Sequence, residues 1–117
     1  MNHEALIQYC LGKPASELKY PFYPDIPVIF VVSKMFALFG FTGDIPSITL
    51  KAAPDEAFLQ RKQYPDAVLP GYHFNKRHWN TVVLNGQVPE PKLYQMIDDS
   101  YLLVVNKLTR LEREQIR

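Results

Sequence analysis

The sequence predicts an α+β fold in which helices pack on one face of an antiparallel sheet. Short runs rich in β-branched and aromatic residues are separated by turn residues, as in antiparallel strands. Amphipathic segments with helical spacing lie before, between and after these runs. Strands and helices do not alternate regularly, which disfavours a doubly wound parallel sheet. The 117 residues are the size of one domain, and we predict a single domain over residues 1–117.

The chain begins with features of a short helix. Asn2 is suited to cap it, and Gly12 before Lys13-Pro14 ends it. Prolines then recur up to Pro27, and each removes a backbone donor. We therefore expect an edge strand at Leu18 to Tyr23, followed by a loop.

A meander of strands is predicted next. The apolar runs at 28–32 and 35–41 predict a hairpin whose two-residue turn is Ser33-Lys34. After a turn at Thr42-Gly43-Asp44, residues 47–51 alternate polar and apolar side chains, as a half-buried strand does.

The second half predicts helix, loop, strand and helix. Pro54 opens a helix that runs to about Gln63, a loop follows at Val68 to Asn75, and residues 78–84 predict a strand. Asn85-Gly86 has the composition of a type I′ hairpin turn.

The last segment predicts the longest helix and a short one after it. Pro89-Glu90-Pro91 opens the long helix, and one face of it is apolar: Leu93, Met96, Ile97, Tyr101, Val104, Val105 and Leu108. Lys107 belongs to its opposite, polar face. Thr109 and Glu112 have capping-box spacing, which predicts a short closing helix.

Composition limits the classes of function. Thirteen Lys and Arg residues against twelve Asp and Glu residues give a net charge of +1, so only a local patch supplies a basic surface. The single cysteine, Cys10, excludes an internal disulfide, and on the apolar helix face it is expected to be a buried thiol. No basic leader precedes an apolar run, and the apolar stretch from Ile26 to Phe41 is too short to span a membrane. We expect a cytoplasmic protein without a membrane partner.

No catalytic or cofactor motif is present in the sequence. The five glycines are too scattered for a phosphate-binding loop, and no serine lies in a nucleophile elbow. His73 and His78 lack the spacing and neighbours of a zinc site, and no motif supports a catalytic group built from them and Asp99. Of the adjacent Asp98 and Asp99, one is expected to cap a helix or pair locally while the other faces solvent. We predict no metal, no cofactor and no enzymatic activity.

The segment from Tyr72 to Thr81 combines basic, aromatic and amide side chains, and it lies within a stretch from Ala67 to Pro89 that has no acidic residue. Lys and Arg neutralise phosphates, amides donate to phosphates or pair with bases, and rings stack on bases. Two interpretations stay open: a nucleic-acid contact, or a solvated turn at Lys76 and Arg77 whose rings are anchored in the core.

This segment resembles the signature of the MmcQ/YjbR family of small bacterial proteins. The matching block is Pro70-Gly71-Tyr72-His73-Phe74-Asn75-Lys76-Arg77-His78-Trp79-Asn80-Thr81-Val82. Lys13-Pro14-Ala15, Lys34-Met35-Phe36-Ala37 and Asp98-Asp99-Ser100-Tyr101 are also similar to family elements, whereas Ser33 stands where the family usually has glycine.

The resemblance implies a fold similar to those of frataxin and the secretion chaperones. It also implies a DNA-binding protein with a double-wing arrangement, whose wing tips would be Ser33-Lys34 and Asn85-Gly86. On this interpretation double-stranded DNA is the partner, and its contacts are Lys34, Lys51, His73, Asn75, Lys76, Arg77, His78 and Asn80. The alternative is an adaptor that binds a protein partner through the open face of the sheet or through the Tyr72 to Trp79 segment, with Trp, Tyr and Arg as anchors.

Overall fold

The computed structural model describes residues 2–71 and 73–116. Its elements follow one another as α1 (His3–Leu11), β1 (Ser16–Lys19), β2 (Val28–Val31), β3 (Lys34–Thr42), β4 (Ile45–Lys51), α2 (Pro54–Gln63), β5 (Val68–Pro70), β6 (Trp79–Val83), α3 (Glu90–Val105) and α4 (Arg110–Glu114).

The strands form one antiparallel sheet in the order β1-β2-β3-β4-β6-β5. Helices α1 and α3 pack against β2 and β4, α3 also packs against β3, and α2 packs against β5 and β6. The helices share one side of the sheet, which confirms the predicted α+β class and leaves the other side open.

The core lies between the sheet and the helices. Alternate strand residues point into it, and they include Ala37, Phe39, Ile48, Leu50, Val68 and Val82. They meet the buried face of α3, whose members are Leu93, Met96, Ile97, Ser100, Tyr101 and Val104. The intervening strand residues face the open side, where register places Leu38, Thr49, Thr81 and Leu69 in one row across four strands.

The helix boundaries follow the predicted signals. The Asn2 side chain accepts a hydrogen bond from the Ala5 amide at 2.9 Å, and α2 begins at Pro54 and ends at Gln63. Thr109 and Glu112 form the predicted capping box at the start of α4. Each boundary depends on side chains within a few residues of the helix end, which is why the sequence locates it.

The edge strand β1 occupies Ser16–Lys19, and the predicted span of Leu18 to Tyr23 is wrong at both ends. Its partner β2 provides four residues for pairing, from Val28 to Val31. Pro21 and Pro24 follow the strand in the connection between the two, because proline cannot donate to the ladder.

The turn between β2 and β3 lies one residue earlier than predicted. Val31 pairs with Lys34, so the turn is Val32-Ser33 and Lys34 already belongs to β3. Val32 has a φ of 56°, an unfavourable value for a β-branched residue. The Ser33 hydroxyl donates to the Glu112 carboxylate, which fastens this turn to α4.

Two features of the second half also differ from the sequence interpretation. The predicted loop at Val68 to Asn75 begins with the three-residue strand β5, which is too short to give a periodic pattern. Asn85-Gly86 is a bend rather than a hairpin tip, because the chain continues from it into α3. The second predicted wing tip is therefore wrong. The Asn85 side chain instead donates to the Asp66 carbonyl oxygen at 2.9 Å.

Candidate nucleic-acid interface

An open cavity of about 450 Å³ lies at the end of the sheet where β3 begins and β4 ends. We call it the basic cavity, and its lining residues are Lys34, Met35, Lys51, Trp79, Val104 and Lys107. Three of the six carry positive charge, and none is acidic. Lys34 and Lys51, which were predicted as phosphate contacts, lie together at this cavity. Lys107, which was not predicted as a contact, lies there too.

Sheet register and one buried serine position this cavity. Lys51 at the end of β4 pairs with Trp79 at the start of β6. The Ser100 hydroxyl accepts a hydrogen bond from the Lys51 amide at 2.9 Å and donates to the Phe36 carbonyl oxygen at 2.6 Å. Ser100 is fully buried in α3, so it holds β3 and β4 to the helix beside the cavity.

The electrostatic surroundings of Lys51 are unusual. Desolvation lowers the pKa of the Lys51 ammonium group, and the positive charges of Lys107 and Lys34 lower it further. Within residues 2–71 and 73–116, none of these three lysines forms an ion pair. Hydrogen bonds from Ser33 and Thr109 lower the pKa of the Glu112 carboxyl, and the positive charge of Lys34 contributes to the same direction. The described lining of the basic cavity therefore carries three positive charges and no carboxylate.

The loop between β5 and β6 contains the other predicted contacts except Asn80, which lies in β6. The Gly71 amide donates to the Trp79 carbonyl oxygen at 2.9 Å and closes the loop. A Cβ atom at Gly71 would lie 2.9 Å from the Trp79 Cβ atom, so glycine is required by this close approach. Tyr72 lies outside the described residues.

The exposed part of this loop presents its cations to solvent. Lys76, Arg77 and His73 are exposed, whereas His78 is half-buried. The Asn75 side chain accepts a hydrogen bond from the Arg77 amide at 3.0 Å, so Asn75 shapes the turn while remaining exposed. In the part of the chain that the structure describes, neither Lys76 nor Arg77 forms an ion pair.

Asn80 does not belong to this surface, although the sequence interpretation included it. It is 1% exposed, and its amide donates to the Ala57 carbonyl oxygen at 3.1 Å and to Gln60 Oε1 at 3.0 Å. Its Oδ1 accepts a hydrogen bond from Arg61 Nε at 2.7 Å. Asn80 joins α2 to the sheet and has no group left for a phosphate. The Arg61 guanidinium also donates to the Lys76 carbonyl oxygen, which ties the exposed loop to α2.

The rings of Phe74 and Trp79 pack on each other, with centroids 5.5 Å apart and an interplanar angle of 38°. Both side chains are half-buried, and the pair lies apart from the main core between sheet and helices. Trp79 belongs both to the loop and to the wall of the basic cavity. The structure thus shows a solvated basic turn beside a ring pair, and the two rings pack on each other rather than in the main core, where the second interpretation had placed them.

The two adjacent aspartates of α3 have different roles. The Asp98 carboxylate is 2.6 Å from Lys13 Nζ and accepts a hydrogen bond from the Tyr9 hydroxyl at 2.7 Å. Asp99 is exposed and lies with Glu56 along a second cavity, of about 240 Å³, between α2 and α3. Burial raises the pKa of Asp99, and Lys92 partly opposes this effect. Asp99 faces solvent, as predicted, but the expected local capping or pairing is wrong for Asp98, whose partners Lys13 and Tyr9 lie 85 and 89 residues away in the chain.

Cys10 is fully buried in α1, as expected. Desolvation raises the pKa of its thiol to about 12, so the thiol is neutral at physiological pH. Among the residues that the structure describes, no three His, Cys, Asp or Glu side chains are grouped as metal ligands. No helix in the described ranges is long and apolar enough to cross a membrane.

By its fold, this is a small α+β protein with an open antiparallel sheet, whose β5–β6 loop is closed by the hydrogen bond from the Gly71 amide to the Trp79 carbonyl oxygen. The chain belongs to the YjbR family, whose model, described as YjbR, matches residues 11–103. The family resemblance carried by the sequence motifs is thereby confirmed.

Three relatives illustrate the similarity. The chain is 36% identical over 114 residues to the uncharacterized protein YjbR of Escherichia coli K12, covering 97% of this chain and 96% of the relative. It is 35% identical to the uncharacterized protein YbdF of Escherichia coli O157:H7, covering 98% and 93% of the two chains. A crystal structure of a Deinococcus radiodurans protein with the domain DUF419 superposes with a TM-score of 0.88 at 36% identity, covering 97% of this chain and 86% of that one.

Proposed function

We propose that this protein is a non-enzymatic, cytoplasmic DNA-binding protein that contacts the phosphates of duplex DNA with little dependence on sequence. The contact surface would comprise the basic cavity and the exposed turn of the β5–β6 loop. The observation that carries this proposal is the grouping of unpaired cations around Trp79. The five cations are Lys34, Lys51, Lys107, Lys76 and Arg77.

The distribution of ion pairs supports this choice of surface. In residues 2–71 and 73–116, the three cations that do form ion pairs lie elsewhere, as Lys13–Asp98, Lys19–Glu17 and Lys92–Glu56. A chain with a net charge of +1 gains no attraction to DNA from its overall charge. A local group of unneutralised cations is therefore the feature that gives it a phosphate-binding surface.

The backbone of the loop supports the same surface. The Asn75 side chain accepts a hydrogen bond from the Arg77 amide, and Arg61 donates to the Lys76 carbonyl oxygen. The exposed Lys76 and Arg77 side chains therefore extend from a backbone that two hydrogen bonds hold in place. A loop whose backbone is held in this way loses less conformational entropy on binding than a flexible loop. His73 is exposed on this turn and His78 is half-buried at its end, where both would face the DNA backbone.

Fluorescence anisotropy of a labelled DNA duplex over a range of salt concentrations tests the proposal. If all five cations replace counterions, the slope of log K against log salt is roughly −4 to −5. The Lys76→Ala/Arg77→Ala variant is expected to reduce the size of that slope by about 2.

The matched control is the Lys62→Ala/Lys92→Ala variant, which removes the same charge from α2 and α3. It is expected to leave the slope within about 1 of the wild-type value. Melting temperatures of both variants establish that they are folded. Absence of binding at low salt, or equal losses in both double variants, would contradict the proposed surface.

A second candidate function is supported by a different part of the molecule. The connection between β1 and β2 exposes Tyr20, Phe22 and Tyr23, with 51%, 53% and 66% of their surface accessible. Exposed aromatic side chains are typical anchors of protein interfaces. Together with the open sheet face, they support the alternative proposal of an adaptor for a protein partner. Binding of such a partner would survive high salt, whereas binding of DNA would not.

A further inference from the structure

The basic cavity has the size and composition of a small-molecule site as well as of a charged patch. Its volume of about 450 Å³ lies within the range of ligand pockets, roughly 300–1,000 Å³. Its lining has two chemical parts, the three lysines and the apolar residues Met35, Trp79 and Val104. A ligand that fits both parts carries an anionic group and an apolar ring.

The charged part favours a compact anion with several acceptor oxygens. Lys51 is half-buried, and the charged groups that act on it are Lys107 and Lys34, both positive. Bringing three ammonium groups together around one cavity costs stability in the absence of an anion. A phosphate group carries up to two negative charges and accepts hydrogen bonds from several lysines at once.

The apolar part favours a flat ring. The Trp79 side chain is held from the loop side by Phe74 and by the register of β6 against β4. An indole held in this way loses little freedom when a second ring packs against it, and heteroaromatic bases stack well on tryptophan. Phosphate and heteroaromatic ring occur together in nucleotides.

We infer that the basic cavity binds a single nucleoside phosphate, with its phosphate among Lys34, Lys51 and Lys107 and its base against Trp79. This inference does not depend on duplex binding, because a free nucleotide enters the cavity without a duplex. The same chemical unit is also present at the phosphorylated end of a DNA strand, where the cavity would add recognition of the end to the proposed function.

Trp79 is the single tryptophan of the chain, so its fluorescence reports directly on the cavity. Titration of the full-length protein with AMP, excited where adenine does not absorb, is expected to give a saturable change in emission. Adenosine can contact only the apolar residues, and inorganic phosphate only the lysines. Each is therefore expected to bind at least about tenfold more weakly than AMP.

Two variants separate this site from the proposed duplex surface. Lys107→Gln removes one charge from the cavity and is expected to weaken AMP binding about tenfold, because a charge-assisted hydrogen bond is lost. Lys62→Gln removes the same charge from α2 and is expected to leave the affinity unchanged. Lys76→Gln/Arg77→Gln is expected to impair duplex binding while the affinity for AMP stays within about twofold. Melting temperatures show whether each variant is folded.

The source of the nucleotide is resolved by competition. A 5′-phosphorylated single-stranded oligonucleotide that displaces AMP, when its unphosphorylated form does not, identifies a strand end as a ligand. Failure of both oligonucleotides to displace AMP identifies the free nucleotide. The inference is overturned if AMP gives no saturable change, if adenosine binds as tightly as AMP, or if Lys107→Gln and Lys62→Gln behave alike. Loss of duplex binding alone would contradict the proposed function and leave this site in place.

Discussion

Lys13 and Lys51 both lie partly buried against α3, but in opposite electrostatic surroundings. Lys13 Nζ is 2.6 Å from the Asp98 carboxylate and lies 5.0 Å and 5.3 Å from the ring centroids of Tyr9 and Tyr101. Lys51 forms no ion pair within the described residues, although Glu56 and Asp99 line the neighbouring cavity with it, and the charges of Lys107 and Lys34 act on it. The first arrangement stabilises the fold, and the second leaves positive charge without an ion pair at the place where we propose that an anionic ligand binds.

The pKa values show how the paired region differs from the cavity. Desolvation alone would raise the pKa of Asp98, but hydrogen bonds from Lys13 and Tyr9, with the charge of Lys13, outweigh it and lower the pKa below its ordinary value. The hydrogen bond to Asp98, together with burial, raises the pKa of Tyr9 to about 12. Asp98 is therefore ionised at neutral pH and accepts hydrogen bonds from two donors. In the cavity, by contrast, burial and neighbouring charge act in the same unfavourable direction on Lys51.

The largest expected effect comes from Ser100, which holds the strands next to the cavity. Ser100→Ala removes the hydroxyl that bridges the Lys51 amide and the Phe36 carbonyl oxygen, leaving both groups short of a partner in the core. The free energy of unfolding is expected to fall by about 2–3 kcal/mol. Urea unfolding measures this loss. A variant as stable as the wild type would show that Ser100 does not hold β3 and β4.

Asp98→Asn is expected to have the next largest effect, because it removes the negative charge that Lys13 and Tyr9 share. The Asp98 side chain is 42% exposed, so solvent screening limits the loss of unfolding free energy to about 1–2 kcal/mol. Glu17→Gln is the control, since its ion pair with Lys19 is exposed at the sheet edge and is expected to contribute close to zero. Equal losses in the two variants would mean that the Lys13–Asp98 pair has no special role.

Lys51→Met is the corresponding change in the cavity. Its effect on stability is expected to be small and, unlike that of Asp98→Asn, not destabilising. Methionine keeps an unbranched side chain and removes a half-buried charge that has no partner. The free energy of unfolding should stay unchanged or rise by up to about 1 kcal/mol. A loss of stability comparable to that of Asp98→Asn would contradict the proposed difference between the two lysines. The same variant should bind AMP more weakly.

The pH dependence of stability sharpens the comparison further. The folded pKa of Asp98 lies below 3.8, so its contribution is complete above that pH and is lost as pH falls through the folded pKa. The stability difference between wild type and Asp98→Asn should therefore shrink in acid.

The folded pKa of Lys51 lies below 10.5, so the unfolded chain holds more protons between the two values and stability rises with pH there. The difference between wild type and Lys51→Met should therefore shrink in alkali. Chemical unfolding across pH measures both differences, and curves that stay parallel would contradict these assignments.

Helix ends were predictable from the sequence, whereas strand partners were not. Proline at the start of α2 and the capping box of α4 act within a few residues, so their effect is visible in the sequence. The three residues of β5 form a strand because β6 pairs with them, and such pairing has no local signal. Asn85-Gly86 has hairpin composition, but the segment that follows it is helical.

The candidate site was predictable in part for the same reason. Lys76 was identified from the composition of its segment, whereas Lys34 and Lys51 were identified through the family resemblance. Lys76 lies on the β5–β6 loop, and the other two line the basic cavity. Asn80 has the right chemistry for a phosphate contact, but strand pairing turns it toward α2. Lys107 was assigned to the polar face of the long helix, but α3 ends at Val105 and Lys107 lies in the turn that follows it, beside the start of β3. Its convergence with two other lysines is a property of the tertiary structure.

The most direct test of the difference between the two regions is amide chemical-shift mapping by NMR, with a short DNA duplex added to the isotopically labelled protein. Perturbations are expected around Lys34, Lys51, Lys76 and Lys107, while amides around Lys13 and Asp98 should remain unchanged. Perturbations centred on Lys13, or on the exposed aromatic residues Tyr20 to Tyr23, would contradict the assignment of the unpaired lysines to phosphate binding.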